Sequence, residues 1–334
     1  MKEYHKNDFD GNLVYGGKTY HGLTGRIDVI TDVNESDEFE KHNISDKDLE
    51  TLKQCPMCNG EEINEFIRKK RLKVYRCNSC DFGFLNPRVK KESSFKLYDQ
   101  SSRYESLYLN ETSNKLDKIK FQYVFQLVKR FISPQSVLDI GSSSGIFLNT
   151  CAEEGVQIIH GIEADTSQIK RSPFYQKNFH IETSMDLDLS KKYNNLELVT
   201  MFDVLEHIID FKKTLTEIHL SLAKQGIFAI IVPNFYSLAS RIIRDKSPTF
   251  NIEHTNYFSM KNLIPLLETL GFEIVHKETV ISEISNIKNY LEFNDPYFAE
   301  PKNEQWTNFL TPEWIHENLL GSRLFVIARK KQKD

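Results

Sequence analysis

The sequence lacks any apolar run long enough to cross a bilayer. Its most apolar stretch, Ile227 to Val232, falls far short of the roughly 20 residues that a membrane helix needs. An export leader is missing as well: Met1 to Asp10 is charged and holds none of the apolar region that such a leader requires, so the expected location is cytoplasmic. A basic excess is absent too. With 43 Lys and Arg against 47 Asp and Glu, the formal net charge is −4 and the isoelectric point about 6.2. No overall field draws the chain to a phosphate backbone, and nucleic acid is disfavoured as a partner. Internal repeats and low-complexity tracts do not occur. Cysteine is scarce and odd in number, five in 334 residues, which in a chain without a leader speaks against a disulfide framework.

What is present fits a globular protein with a sizeable core: 40% of residues are hydrophobic, 27% are charged and the mean hydropathy is −0.46. The length exceeds that of an ordinary single core, so two or three units are expected. Residues 1–50 form an N-terminal extension. Its short alternating runs, Asn12 to Tyr15 and Arg26 to Ile30, allow a hairpin or two, and the acidic stretch from Asn34 to Glu40 reads as a solvated linker. Residues 51–90 hold four of the cysteines, and residues 91–135 a helical linker. There Leu116, Ile119, Tyr123, Leu127 and Phe131 recur at helical spacing from Lys115 until Ser133-Pro134 closes the pattern.

Cys55-Pro-Met-Cys58 and Cys77-Asn-Ser-Cys80 stand 18 residues apart, the spacing of a four-thiolate zinc site. Each pair supplies two thiolates from one tight turn, and two facing turns complete a tetrahedron with no position open to water. Such a closed site is structural. Its core, drawn from Leu72 to Arg76 and Phe82 to Leu85, is too small to stand without that staple. Cys151 falls within a helical segment among apolar residues and reads as a small buried hydrophobe.

From Ser136 to the end the chain alternates β-rich runs with amphipathic segments. Strands are expected at Val137 to Ile140, Gln157 to Ile162, Leu196 to Phe202, Ile227 to Val232, Phe272 to Thr279 and Arg323 to Arg329. Helices are expected at Ser144 to Glu154, Thr166 to Ser172, Phe211 to Ala223 and Met260 to Leu270. This alternation predicts an α/β domain over 136–334, a parallel sheet with helices on both faces. An insertion at 280–322 is far longer than an ordinary loop. It carries Tyr290, Phe293, Tyr297, Phe298, Trp306, Phe309 and Trp314, and it either covers a ligand at the sheet edge or serves as a packing layer or homo-oligomer contact.

Val137-Leu-Asp-Ile-Gly-Ser-Ser-Ser-Gly-Ile-Phe-Leu148 is a strand, a small-residue turn and a helix start. Gly141 and Gly145 let a ligand approach the backbone where helix N–H groups face it, and Asp139 at the strand end is placed to reach a cationic amino group. Gly161-Ile-Glu163 follows at the end of the next strand. A carboxylate there can accept hydrogen bonds from both hydroxyls of a ribose.

These segments resemble class I S-adenosylmethionine-dependent methyltransferases. The resemblance extends to Phe202-Asp-Val-Leu-Glu-His207, to Leu222 through Asn234, and to Glu253-His-Thr-Asn-Tyr-Phe-Ser259. It covers roughly residues 115–330. Among these enzymes the chain is most similar to bacterial sugar and natural-product methyltransferases that place a zinc ribbon first. The resemblance implies a Rossmann-like, seven-stranded sheet. It also implies S-adenosylmethionine lying over the first two strand ends, with Gly141, Ser143 and Gly145 on the methionine, Glu163 on the ribose, the Thr183 to Asp186 turn on the adenine, and Phe202 and Asp203 at the border. Ser143 stands where the family turn has its central glycine, and Gln225-Gly226 replaces a double glycine.

Ribbon-bearing sugar C-methyltransferases carry a histidine at His207 and a Glu-His pair matching Glu253-His254. They have a tyrosine where this chain has Asn251, and they continue into a further C-terminal domain. The resulting expectation is methyl transfer to a small or carrier-linked acceptor in carbohydrate biosynthesis. The acceptor would be a sugar nucleotide methylated on oxygen, with His207, His254 and Glu253 as catalytic groups. The alternatives are C-methylation of a deoxysugar nucleotide, RNA methylation through the basic residues Lys69, Lys70, Arg71, Arg76, Lys90 and Lys91, and a non-catalytic scaffold.

Overall fold

The computed structural model describes residues 3–10, 38–98, 111–165, 169–170, 172–183, 188–296 and 307–332. In chain order the strands are β1 (Leu49–Glu50), β2 (Ile63–Lys69), β3 (Leu72–Cys77), β4 (Gly83–Leu85), β5 (Arg88–Val89), β6 (Ser136–Ile140), β7 (Ile158–Ile162), β8 (His180–Glu182), β9 (Leu196–Phe202), β10 (Leu222–Pro233), β11 (Asn256–Tyr257), β12 (Phe272–Val280) and β13 (Arg323–Lys330). Seven of them form the main sheet in the order β12-β13-β10-β9-β6-β7-β8. The pairs from β10 through β8 are parallel, whereas β13 runs antiparallel to both β10 and β12. The sheet is therefore mixed where uniform alternation predicts a parallel one. The last strand inserts between two earlier strands and returns against their direction.

The near-continuous apolar runs of the central strands follow from burial on both faces. Leu138, Ile140, Val199, Met201, Phe228 and Ile230 face one core, shared with Phe211, Leu215 and Ile218 of the helix Phe211–Ser221 and with Leu263 and Leu267 of the helix Met260–Thr269. Their alternates Val137, Leu198, Ile227, Ala229 and Ile231 face the other, with Val124 and Leu127 of the helix Glu111–Val128 and Phe147 and Cys151 of the helix Ile146–Glu153. The expected helix at Phe211 to Ala223 ends two residues early because β10 begins at Leu222, and β8 adds a three-residue strand that the sequence pattern does not reveal. The helix expected at Thr166 to Ser172 lies partly outside the described residues, as do the runs Asn12 to Tyr15 and Arg26 to Ile30 entirely.

The cysteine segment does not keep its own core. β2, β3 and β4 form an antiparallel meander that β11 extends from the α/β domain, giving the order β11-β4-β3-β2. Phe82 packs against Phe211 and Phe258 at ring-centroid distances of 5.4 and 5.3 Å. Phe82 and Phe84 join the same buried cluster as Leu138 and Val199.

The acidic linker is corrected in part. Glu38 and Phe39 are buried, and Glu38 accepts the backbone N–H of Ile252; residues 34–37 lie outside the described part. The N-terminal segment is anchored by Asp10. Its carboxylate accepts from the backbone and hydroxyl of Ser282, both at 2.8 Å, and meets His316 Nε2 at 3.1 Å. Of the insertion, Ile284, Ile287, Leu310 and Ile315 pack on Ala239 and Ile243 of the helix Leu238–Ile243, a packing layer beyond β10. Phe309 is 63% exposed, and Tyr297, Phe298 and Trp306 lie outside the described residues.

Candidate active site

Between β6 and the helix Ile146–Glu153 the backbone turns through three left-handed residues, Gly141 (φ 75°), Ser143 (φ 48°) and Gly145 (φ 76°). Glycine is required at the first: a Cβ on Gly141 would lie 2.2 Å from Val204 Cγ2. Ser143 keeps the turn without the family's glycine by adopting the same left-handed region. The N–H groups of Gly141 and Ser142 donate to Ile162 O at 2.8 and 3.0 Å, so the turn is tied to the end of β7.

Glu163 lies at that strand end and closes on the turn. Its Oε2 accepts the N–H of Ser143 at 2.6 Å, and its Oε1 accepts that of Asp165 at 2.9 Å. Burial raises its carboxyl pKa, with these two N–H groups working the other way. Each oxygen retains a second lone pair, so the carboxylate can still accept from two hydroxyls.

Asp139 is not at the surface of this turn. It is 2% exposed, accepts from Thr200 Oγ1 at 2.7 Å, and is pushed up to about 7 by burial, with the Thr200 bond opposing and the Glu163 charge adding. Phe202 also turns inward, packing against Phe121 and Phe147 at 5.4 and 5.0 Å. Asp186 lies outside the described residues.

Sequence reasoning misses Tyr175. Its ring lies about 3.1 Å from where a Gly145 Cβ would stand, and its hydroxyl reaches Ser143 O at 2.7 Å and Ser142 Oγ at 2.9 Å. No spacing signal marks it.

Beyond β9, Asp203 adopts φ 53°, donates its N–H to Ile231 O and accepts from Arg323 Nε at 2.6 Å, a pairing across 120 residues that no local pattern shows. The turn Leu205–His207 follows, and the loop ahead of β11 packs over it. Thr255 Oγ1 donates to Glu206 O at 3.1 Å and Asn256 Nδ2 to Ile208 O at 2.8 Å, which latches the two segments. Asn251 accepts the N–H groups of both Glu253 and His254 on its Oδ1 at 2.9 and 3.0 Å. It thereby builds the turn that presents His254.

These segments bring His207 and His254 together, ring centroids 4.9 Å apart. His207 Nδ1 lies 3.0 Å from Glu253 O, and His254 Nδ1 lies 2.8 Å from Thr249 O. A carbonyl only accepts, so each ring carries its proton on Nδ1 and turns Nε2 inward. Both Nε2 atoms are 3.9 Å from Glu206 Oε1. Burial lowers both imidazole pKa values, that of His254 well below its ordinary value, with His207 adding to the shift. Glu253 contacts the pair through its backbone carbonyl. The buried carboxylate at the centre is Glu206, which sequence reasoning quotes within a motif but does not single out.

In the ribbon the four expected cysteines converge. Cys55 and Cys80 Sγ are 3.6 Å apart, as are Cys58 and Cys77 Sγ, and all four lie within 4.8 Å of one another. Zinc–sulfur bonds of about 2.3 Å in a tetrahedron separate sulfurs by about 3.8 Å, so the cluster is compatible with zinc.

Comparison with known proteins matches residues 116–277 to a family described as a methyltransferase domain. A protein of Mycolicibacterium smegmatis described as a "probable S-adenosylmethionine-dependent methyltransferase" is 23% identical over 155 residues, 46% of this chain. The match spans only 58% of that relative's length. Among solved structures, a SAM-dependent methyltransferase from Archaeoglobus fulgidus is 24% identical with a TM-score of 0.47, covering 70% of this chain and 100% of that one. An S-adenosylmethionine-dependent methyltransferase from Mesorhizobium loti is 16% identical with a TM-score of 0.42, covering 63% and 98%. With the family match lying across the glycine turn and the central strands of the seven-stranded sheet, residues 116–277 are a methyltransferase domain on a Rossmann-like sheet.

Proposed function

We propose that the chain transfers a methyl group from S-adenosylmethionine to a hydroxyl oxygen of a small or carrier-linked metabolite, with a sugar nucleotide as the first candidate. When bound, S-adenosylmethionine supplies a methyl group activated on a sulfonium sulfur. The observation that carries the reading is the meeting of two sites at one sheet edge. Val204, two residues from Glu206, packs directly on Gly141 of the glycine turn. The Glu163 carboxylate, which can still accept from a ribose, and the buried proton-accepting groups of Glu206, His207 and His254 thus flank one glycine turn.

In this reading Glu163 accepts the ribose hydroxyls, and the small residues of the turn, whose Gly141, Ser142 and Ser143 N–H groups are held by Ile162 O and Glu163, let the amino-acid part of the cofactor approach the backbone. The histidine cluster takes the proton of the acceptor hydroxyl while the protein aligns that oxygen with the methyl carbon. Zinc at the four cysteines has a structural part only. It holds β4, and through β4 the loop carrying His254.

Carboxylates interleave the basic stretch near the ribbon, which favours a metabolite over RNA. Lys69 pairs with Glu38 at 3.8 Å, Arg71 with Asp46 at 3.5 Å, Arg76 with Asp81 at 3.9 Å, and Lys91 with Asp210.

Methyl-labelled S-adenosylmethionine incubated with panels of sugar nucleotides and of RNA tests the proposal. The expected result is label on a sugar oxygen, and turnover lowered by at least about 100-fold in His254→Gln at an unchanged melting temperature. Label on RNA or on a sugar carbon, or normal turnover in both His207→Gln and His254→Gln, would overturn it.

A further inference from the structure

Glu206 is 1% exposed, and among the described residues neither of its carboxylate oxygens has a hydrogen-bond partner. A buried carboxylate in that state is costly unless a charge or a set of donors meets it. What meets it is the inward edge of two imidazoles, each 3.9 Å from Oε1 and so beyond hydrogen-bond reach. Each ring is locked in that orientation by Nδ1 on a backbone carbonyl, the outer contact that fixes the tautomer of metal-binding histidines. Lone pairs of one oxygen and two nitrogens therefore converge on one point. The ligand atoms all lie within 4.8 Å of one another.

Protons resolve this arrangement poorly. Neither carboxylate oxygen of Glu206 finds a hydrogen-bond donor among the described residues, and both imidazole Nε2 atoms stand beyond hydrogen-bond reach of it. A cation satisfies all three groups at once. We propose that Glu206, His207 and His254 form a binding site for one divalent transition-metal cation.

Bonds of about 2.0 to 2.2 Å place tetrahedral neighbours about 3.4 Å apart, so the 3.9 Å separations need close by only about half an ångström. Two imidazoles and one carboxylate suit zinc, iron(II), cobalt, nickel or manganese rather than calcium or magnesium. Three protein ligands leave coordination positions open, in contrast to the closed four-cysteine cluster.

This inference deepens the proposed function and rests on it for its chemical meaning. A cation held by Glu206, His207 and His254 would polarise an acceptor hydroxyl, and its proton would then pass to solvent, the two histidines serving as ligands in place of the base role proposed for them. Binding itself is measurable without S-adenosylmethionine or acceptor.

The test is a Co2+ titration of the full chain with its ribbon zinc retained, followed by calorimetry and visible absorption. One further equivalent of Co2+ is expected, with d–d bands and no thiolate-to-cobalt charge transfer. Glu206→Gln and His254→Gln should each lower the Co2+ affinity by at least about 10- to 100-fold, the loss that follows even removal of an outer partner of a ligand. Absence of a second equivalent in the wild-type protein would overturn the inference, as would a folded Glu206→Gln variant that binds Co2+ as tightly. Should a variant fail to fold, the wild-type titration still decides. A negative titration leaves methyl transfer standing, and a failed methyl-transfer assay leaves the Co2+ result standing.

Discussion

The two halves of the sheet edge are built differently. The half proposed for the cofactor, Gly141 to Gly145 with Glu163, is made by backbone: left-handed residues turn the chain, and N–H groups donate to Ile162 O and to Glu163. The half proposed for the acceptor, Glu206, His207 and His254, is made by side chains reaching across the fold, with Asn251, Thr255 and Asn256 pinning one loop to another. A backbone-built site depends on little beyond the strands that flank it. A side-chain-built site depends on whatever holds its loops, and here that includes the ribbon, because β11 is at once the edge of the ribbon sheet and the continuation of the His254 loop.

Removing the zinc proposed for the four cysteines should separate the halves most strongly, since structural zinc in small domains contributes about 10 to 16 kcal/mol. After chelation, hydrogen exchange should rise over 63–85 and equally over 253–258, while β6 and β7 stay protected. Unchanged exchange at 253–258 in metal-free protein would mean that the His254 loop stands without the ribbon.

A smaller effect is expected from Gly141→Ala, which sets a Cβ into a left-handed residue and against Val204. The backbone conformation costs about 1 to 2 kcal/mol and the overlap about 1 to 3. The melting temperature should fall accordingly, and the added substitution Val204→Ala should recover part of the loss. No recovery would place the cost in the backbone alone.

The same contrast explains what the sequence makes legible. Gly141 and Gly145 announce a turn because a left-handed backbone favours glycine, Glu163 announces itself by following a strand at the right distance, and the cysteine pairs by their spacing. All are local. Glu206 stands in the open within Phe202 to His207, yet its importance comes from His254, 48 residues on, which only the folded loop brings to it. Arg323 on Asp203 is hidden for the same reason. β8 is too short to show periodicity, and the reversed direction of β13 leaves no mark in its own apolar run.

The central claim, a backbone-built cofactor site beside a separately held acceptor site, meets its most direct test in calorimetry of S-adenosylmethionine with wild-type protein, Glu163→Ala and His254→Gln. The account predicts one site, weakened by about 1.5 to 3 kcal/mol in Glu163→Ala through loss of charge-assisted hydrogen bonds, and an affinity unchanged in His254→Gln. No binding to the wild-type chain, or an equal loss in both folded variants, would contradict it.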